Sequence, residues 1–271
     1  MKILVTGATG NIGRKVVDEL LARGAEDVRA LTNNPKKAAL PPEVEVAEGF
    51  LGRPDSLPAA FEGVERLYLA PYLPTVTETV RLARAAGIAQ IVDLSGDEST
   101  DWQPIAQAVE QSGCAWTHLY TGEFMENATM WAEAIQAGDR IQEPYPAAAN
   151  APIAMADIAV VAAVVLLGSG HEGQTYNLTG PETLTRAEKL QQIGAALDRK
   201  LEVVPISREE GIRQLTPSMG EYAEWYLDGM AAMEQHPQQA TTTIADLTGA
   251  PATTFAQWAR DHADEFRNGG R

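Results

Sequence analysis

Apolar residues come in short runs near the start of the chain. Ile3-Leu4-Val5 leads directly into Thr6-Gly7, and similar runs occupy residues 28–31, 44–47, 66–70, 90–94 and 115–120. Between them the apolar positions recur three and four residues apart. After the first run, Ile12, Val16 and Leu20, with Val17 and Leu21 beside them, share one helical face, and Gly24 stops it. The breaker Pro71-Tyr72-Leu73-Pro74 follows the fourth run; helices are then predicted to about residue 86 and from about residue 102. Strands alternating with amphipathic helices predict parallel βα units.

The second half is less regular. The pattern predicts a helix over 123–137, a Pro- and Ala-rich loop over 143–152, an apolar helix from Asp157 and a strand over 175–178. Asp157, just before the apolar run, reads as a helix N-cap. Thr185-Arg186-Ala187-Glu188 reads as a capping box ahead of Leu190, Ile193 and Leu197. Residues 201–206 are β-like, and the remainder is helical in pattern. Tyr222, Trp225, Tyr226, Met230 and Met233 share one face, and Phe255, Trp258, Ala259, His262 and Phe266 another. The first stripe, with Met219, reads either as core or as the wall of a pocket for a planar apolar ligand. The expected fold is α/β: a Rossmann-type doubly wound parallel sheet over residues 1–180, then a smaller, mostly helical C-terminal substrate lobe over 181–271 that partly returns to the core.

Composition narrows the function classes. The chain of 271 residues is 45% hydrophobic, enough for a sizeable core, and carries a formal charge of −16. No cluster of Lys and Arg exists to displace counterions from a nucleic acid, so neither a nucleic acid nor an anionic membrane surface is an expected partner. The longest apolar run, 158–167, is about half a membrane span and reads as a helix buried on most sides. One cysteine, Cys114, excludes an intrachain disulfide, and the start reads as a strand rather than a signal peptide. A cytoplasmic location is the expectation. The four histidines are scattered without ligand spacing, so no metal is expected, and Cys114 reads as a structural thiol.

The sharpest local signal is Gly7-x-x-Gly10-x-x-Gly13 between a strand and an amphipathic helix. Glycines there permit a tight turn and close approach of backbone to a pyrophosphate, and the helix N-terminus offers free N–H groups. Gly7, Thr9, Gly10, Asn11, Ile12 and Gly13 are therefore the expected pyrophosphate-side residues. Strand two ends in Thr32-Asn33, neither an Arg for a 2′-phosphate nor an acid for a ribose diol; Lys36 and Lys37 follow within reach.

Residues 6–13, then Arg29-Ala30-Leu31-Thr32-Asn33-Asn34-Pro35-Lys36-Lys37, Phe124-Met125-Glu126-Asn127, Asp157-Ile158-Ala159, Asn177-Leu178-Thr179-Gly180-Pro181 and Leu247-Thr248-Gly249-Ala250-Pro251 carry a resemblance that spans nearly the whole chain. The sequence resembles the NmrA-like atypical short-chain dehydrogenases/reductases. That family holds quinone, azo-dye and triphenylmethane reductases, and also regulators that bind NAD(P) without turning it over. The resemblance implies NADPH as cofactor, with NADH the alternative. It places Thr32, Asn33, Lys37, Phe50, Leu51, Ala70, Pro71, Tyr72 and Thr121 around that cofactor. It makes Tyr72, Tyr120, Phe124, Met125, Tyr222, Trp225 and Tyr226 substrate-side residues, and Tyr120 and Ser95 the catalytic candidates.

Four departures cluster at this implied site. None of the seven tyrosines has a Lys four residues later, so the usual Tyr-x-x-x-Lys pair is absent. Strand two lacks the usual charged end. Gly49-Phe50-Leu51 stands where the family often has Gly-Asp-Leu, and Leu119-Tyr120-Thr121-Gly122 where it has Leu-Arg-Pro-Gly. Phe50 then either stacks on adenine or fills its space. Tyr120 is either a pocket wall and proton donor or a phenol packed at a strand end. Ser95 is either a nicotinamide-side hydroxyl or the cap of the next turn. The expected function is an NAD(P)H-dependent reductase of a planar conjugated small molecule, a quinone, an enone or a polycyclic aromatic ketone, with an aromatic or quinonoid substrate as its partner. A non-catalytic NAD(P) redox sensor and a nucleotide-independent cyclase or isomerase are the rivals.

Overall fold

A computed structural model describes residues 1–96 and 100–268. In chain order the first elements are β1 (Ile3–Val5), α1 (Asn11–Ala22), β2 (Val28–Thr32), β3 (Glu45–Glu48), α2 (Pro58–Phe61), β4 (Arg66–Leu69), α3 (Val76–Ala85), β5 (Gln90–Ser95), α4 (Gln103–Gln111) and β6 (Ala115–Thr121). There follow α5 (Ala132–Ala137), β7 (Arg140–Glu143), β8 (Ala149–Asn150), α6 (Met155–Leu167), β9 (Gln174–Leu178), β10 (Leu184–Thr185), α7 (Arg186–Ala196) and β11 (Glu202–Pro205). The chain closes with α8 (Arg208–Met219), α9 (Tyr222–Gln235), α10 (Thr243–Thr248), α11 (Phe255–Asp261) and α12 (Ala263–Asn268).

Two compact units emerge, and they are interleaved. Unit 1 takes Met1–Thr121, Met155–Leu178 and Thr243–Ala250; unit 2 takes Gly122–Ala154, Thr179–Thr242 and Pro251–Arg271. The expected boundary at residue 180 is thus corrected. Residues 122–154 leave the Rossmann unit, because β7 and β8 pair with β11 and β10 rather than with the large sheet. Residues 243–250 return to it, because α10 packs on α6 and β9.

Unit 1 is the doubly wound parallel sheet, with strand order β3-β2-β1-β4-β5-β6-β9. The order reverses direction at β1, and that puts a ligand crevice beyond the carboxyl ends of β1 and β4. Helices α1 and α6 pack together on one face and α2, α3 and α4 on the other. α6 is buried nearly all round, which explains why its sequence has no polar face. Among the described residues no helix is long and apolar enough to cross a membrane.

Unit 2 has its own core, built on Met125, Trp131, Ile135, Leu190, Ile193, Trp258 and Phe266. Three expectations change here. The helix predicted over 123–137 starts late: Met125 N–H donates to Ile153 O at 2.9 Å and Ile153 N–H to Glu123 O at 2.9 Å, holding the chain extended before a 3-10 stretch over Met125–Trp131 and then α5. The loop over 143–152 contains β8, paired antiparallel with β10. Finally, the aromatic stripe of α9 does not act as one face. Ala223, Leu227 and Met230 form the buried side, whereas Tyr222 and Trp225 stand 66% and 69% exposed. The i, i+4, i+7 spacing of Ala223, Leu227 and Met230 set the register, and Tyr222 and Trp225 fell outside it. The capping box at Thr185 forms as expected, with Glu188 Oε2 accepting from the Thr185 backbone N–H at 2.8 Å.

Candidate functional site

The glycine loop is closed on itself so tightly that side chains are excluded. Gly7 has φ +60°, Gly10 N–H donates to Gly7 O at 2.8 Å, and a Cβ on Gly13 would lie 2.2 Å from that same oxygen. A Cβ on Gly7 would meet the Ala70 methyl at 3.0 Å, so the loop also abuts the end of β4. Gly10 caps α1 without a side-chain hydrogen bond, and the first turn carries no acid. The N–H groups at this helix end therefore have no internal anion, and Gly7, Thr9, Gly10 and Asn11 are exposed. Such a cradle fits a pyrophosphate.

The neighbouring strand ends supply the rest of the crevice. Thr32 is buried, and its Oγ1 accepts from Asn34 N–H at 3.2 Å, which leaves exposed Asn33, Lys36 and Lys37 as the outward groups. Arg14, which sequence reasoning passed over, belongs beside them. Its Nη1 donates to Ala39 O at 2.7 Å, so the guanidinium is tied to the same loop that carries the lysines. Its signal was available as a basic residue directly after Gly13. Phe50, about one-third exposed, packs edge-on against Tyr72 with centroids 5.2 Å apart. Gly52 makes that pair possible, since a Cβ there would lie 2.4 Å from the Phe50 ring and 2.6 Å from the Tyr72 hydroxyl. Leu51 is buried, and its carbonyl accepts from Thr75 Oγ1 at 2.6 Å. Past β4, Pro71, Tyr72, Leu73 and the half-exposed Trp102 line a small cleft of about 220 Å³. Trp102 was also missed, having been read only as a helix start.

At β5 and β6 the structure assembles a group the sequence did not announce. Asp93 and Ser95 alternate along β5; Trp116, His118 and Tyr120 alternate along β6, and register sets Asp93 opposite His118 and Ser95 opposite Tyr120. The Ser95 hydroxyl donates to Asp93 Oδ1, a partner neither expectation for it had named. His118 Nδ1 lies 2.6 Å from Asp93 Oδ2, and Trp116 and Tyr120 stack on the imidazole at 4.2 and 5.8 Å. Burial pushes the Asp93 carboxyl above its ordinary pKa, and the hydrogen bond from His118 only partly offsets this. Tyr120 and Thr121 are half-buried at the carboxyl end of β6.

The remaining substrate-side candidates fall in unit 2. Met125 is 1% exposed and belongs to the core, Phe124 is half-buried, and Tyr222 and Trp225 face solvent. Tyr226 turns inward, where its hydroxyl accepts from Arg186 Nη1 at 3.0 Å. Among the described residues no group of three or more His, Cys, Asp or Glu side chains is arranged to hold a metal ion.

Known proteins resemble this chain along nearly its whole length. The NAD(P)H-binding family matches residues 7–167. The chain is 32% identical to a (4-alkanoyl-5-oxo-2,5-dihydrofuran-3-yl)methyl phosphate reductase from Streptomyces griseus, covering 97% of this chain and 99% of that one. It is 33% identical to an NAD(P)H azoreductase from Xenophilus azovorans, again over 97% and 99%. The solved structure of an NADPH-dependent quinone oxidoreductase from Escherichia coli superposes with a TM-score of 0.84 at 25% identity, covering 96% of this chain and 98% of that one.

Proposed function

Because the chain belongs to the NAD(P)H-binding family, among the NmrA-like atypical short-chain dehydrogenases/reductases, we propose that it is an NAD(P)H-dependent reductase of a planar conjugated small molecule. Quinones, enones and polycyclic aromatic ketones are the substrate class. The observation that carries the reading is the side-chain-free cradle at Gly7, Gly10 and Gly13 against the bare N-terminus of α1. The names of the two curated relatives support it: an azo group and an unsaturated lactone are both conjugated electrophiles.

Each part of unit 1 has a task in this reading. Backbone N–H groups of residues 7–13, with Thr9 in the loop and Asn11 and Ile12 in the first turn of α1, hold the pyrophosphate. Arg14, Lys36 and Lys37, with Asn33 between them, favour a 2′-phosphate, hence NADPH over NADH. Phe50, Leu51, Ala70 and Pro71 flank the adenine side, and Thr121 the far side. When bound, the nicotinamide supplies a hydride. Tyr120 supplies the proton to the reduced substrate, which replaces the missing Tyr-x-x-x-Lys pair. Ser95 acts as a positioning residue: through Asp93 it fixes the His118 ring on which Tyr120 stacks. Tyr72 and Trp102 present flat apolar surface to the substrate and exclude water.

The test is a calorimetric titration of the protein with NADPH, NADH and their oxidised forms, followed by turnover with a naphthoquinone. NADPH binding, with substrate-dependent loss of its absorbance, is the expected result. No heat with any nicotinamide nucleotide at millimolar concentration would overturn the reading.

A further inference from the structure

Unit 2 holds a cavity of about 500 Å³, within the usual range for a small-molecule site. Trp131, Leu215, Met219 and Leu227 give it apolar walls, and Arg186, Tyr226, Glu133, Glu143, Gln142 and Gln214 are among its polar groups. Arg186 is 2% exposed. Its Nε and Nη2 donate to the Glu143 carboxylate at 2.7 and 3.1 Å, and its Cζ lies 4.8 Å from the centre of the Trp131 ring. Burial works against the guanidinium charge, but the Tyr226 phenol and the Glu143 carboxylate more than offset it and raise the pKa.

The hydrogen-bond inventory of this cluster is lopsided. Beyond Glu143, Arg186 Nη2 finds among the described residues only the Met130 thioether, at 3.7 Å. Having accepted from Arg186, the Tyr226 hydroxyl gives its own proton to the same sulfur at 3.5 Å. Two strong donors thus converge on one weak acceptor, carried by a flexible side chain in the cavity wall. An oxygen at that point would satisfy both donors better. It must be uncharged: Glu143 already neutralises Arg186, and Glu133 adds another carboxylate to the wall.

We propose that this cavity binds an uncharged planar aromatic carbonyl compound, whose oxygen displaces the Met130 sulfur and accepts from Arg186 Nη2 and the Tyr226 hydroxyl. All the residues involved belong to unit 2, so binding needs no dinucleotide. The proposal therefore stands apart from the reductase reading.

Equilibrium dialysis of the full chain, without nucleotide, tests it with three probes of one shape: 1-acetonaphthone, 1-ethylnaphthalene and 1-naphthoate. The ketone is expected to bind at least about tenfold more tightly than the hydrocarbon and than the anion. Tyr226→Phe should remove most of the preference for the ketone and leave hydrocarbon binding unchanged. Met130→Leu keeps the bulk and removes the competing sulfur, and ketone binding should tighten by about two- to fivefold. Leu215→Trp, which fills the cavity, should abolish it. Equal binding of ketone and hydrocarbon to the wild-type protein would overturn the proposal. So would ketone affinity that Leu215→Trp leaves unchanged.

Discussion

A methyl group at Gly13 would sit 2.2 Å from the Gly7 carbonyl oxygen, which the tight turn already holds as acceptor of the Gly10 N–H at 2.8 Å. Gly13→Ala should therefore lower NADPH affinity at least about a hundredfold and cost about 1–3 kcal/mol in stability by overpacking, with far-UV circular dichroism retained. Titration and urea unfolding of the same sample check both. Tyr120→Phe should reduce turnover by roughly ten- to a thousandfold, the range near that of one acid–base group, with little change in the Kd for NADPH. A turnover loss of less than twofold would remove Tyr120 from the mechanism. Glu123 offers a pH-dependent test. Burial alone would raise its carboxyl pKa, but the Lys189 ammonium, 2.6 Å away, overrides this and holds it below the ordinary 4.5. A depressed carboxylate contributes stability above the ordinary value and loses it as pH falls through the lower folded-state value. Glu123→Gln should cost about 3 kcal/mol near neutrality, as for one partner of a buried pair. The gap to wild type should narrow as unfolding is measured at progressively lower pH. At this scale the glycines were legible because their spacing is local. The Asp93–His118 pair was not: its members lie 25 residues apart and meet only through strand register.

Elements were legible in proportion to their periodicity. The strands of the large sheet fall where the apolar runs predicted, and α1 buries Val16, Val17 and Leu20 as its pattern required. The exceptions have physical causes. α9 turned Tyr222 and Trp225 outward because Ala223, Leu227 and Met230 set its buried side, and the start of the 123–137 segment was captured by a bridge to Ile153. The consequence for α9 is testable: Trp225→Ser should shift stability by less than about 0.5 kcal/mol, as a surface change away from the core does. A larger loss in thermal unfolding would mean that the ring is covered in solution. In the proposed reading the loop after β2 sets the cofactor preference. Replacing both Lys36 and Lys37 by Ala should weaken NADPH binding about three- to tenfold at low salt, leave NADH unchanged, and lose its effect as salt rises. Parallel titrations at two ionic strengths distinguish this from general damage to the fold.

For the whole molecule, fold class and cofactor chemistry could be read from sequence, but the partition into units could not. Local patterns report which face of an element is buried, and not which of two cores receives it. The chain passes between the units at residues 121/122, 154/155, 178/179, 242/243 and 250/251, five times in all. That routing bears on how the protein emerges from a ribosome. The glycine loop at residues 7–13 is made well before α10, yet its unit is complete only when Thr243–Ala250 has been synthesised and α10 can settle on α6. A fragment that ends before residue 243 lacks part of the packing of its own unit, unlike a separable domain. The nascent sheet must wait, with the apolar surface of α6 partly uncovered, until residues 243–250 have been made. A stalled or truncated chain would expose that surface to chaperones rather than present a working nucleotide-binding domain.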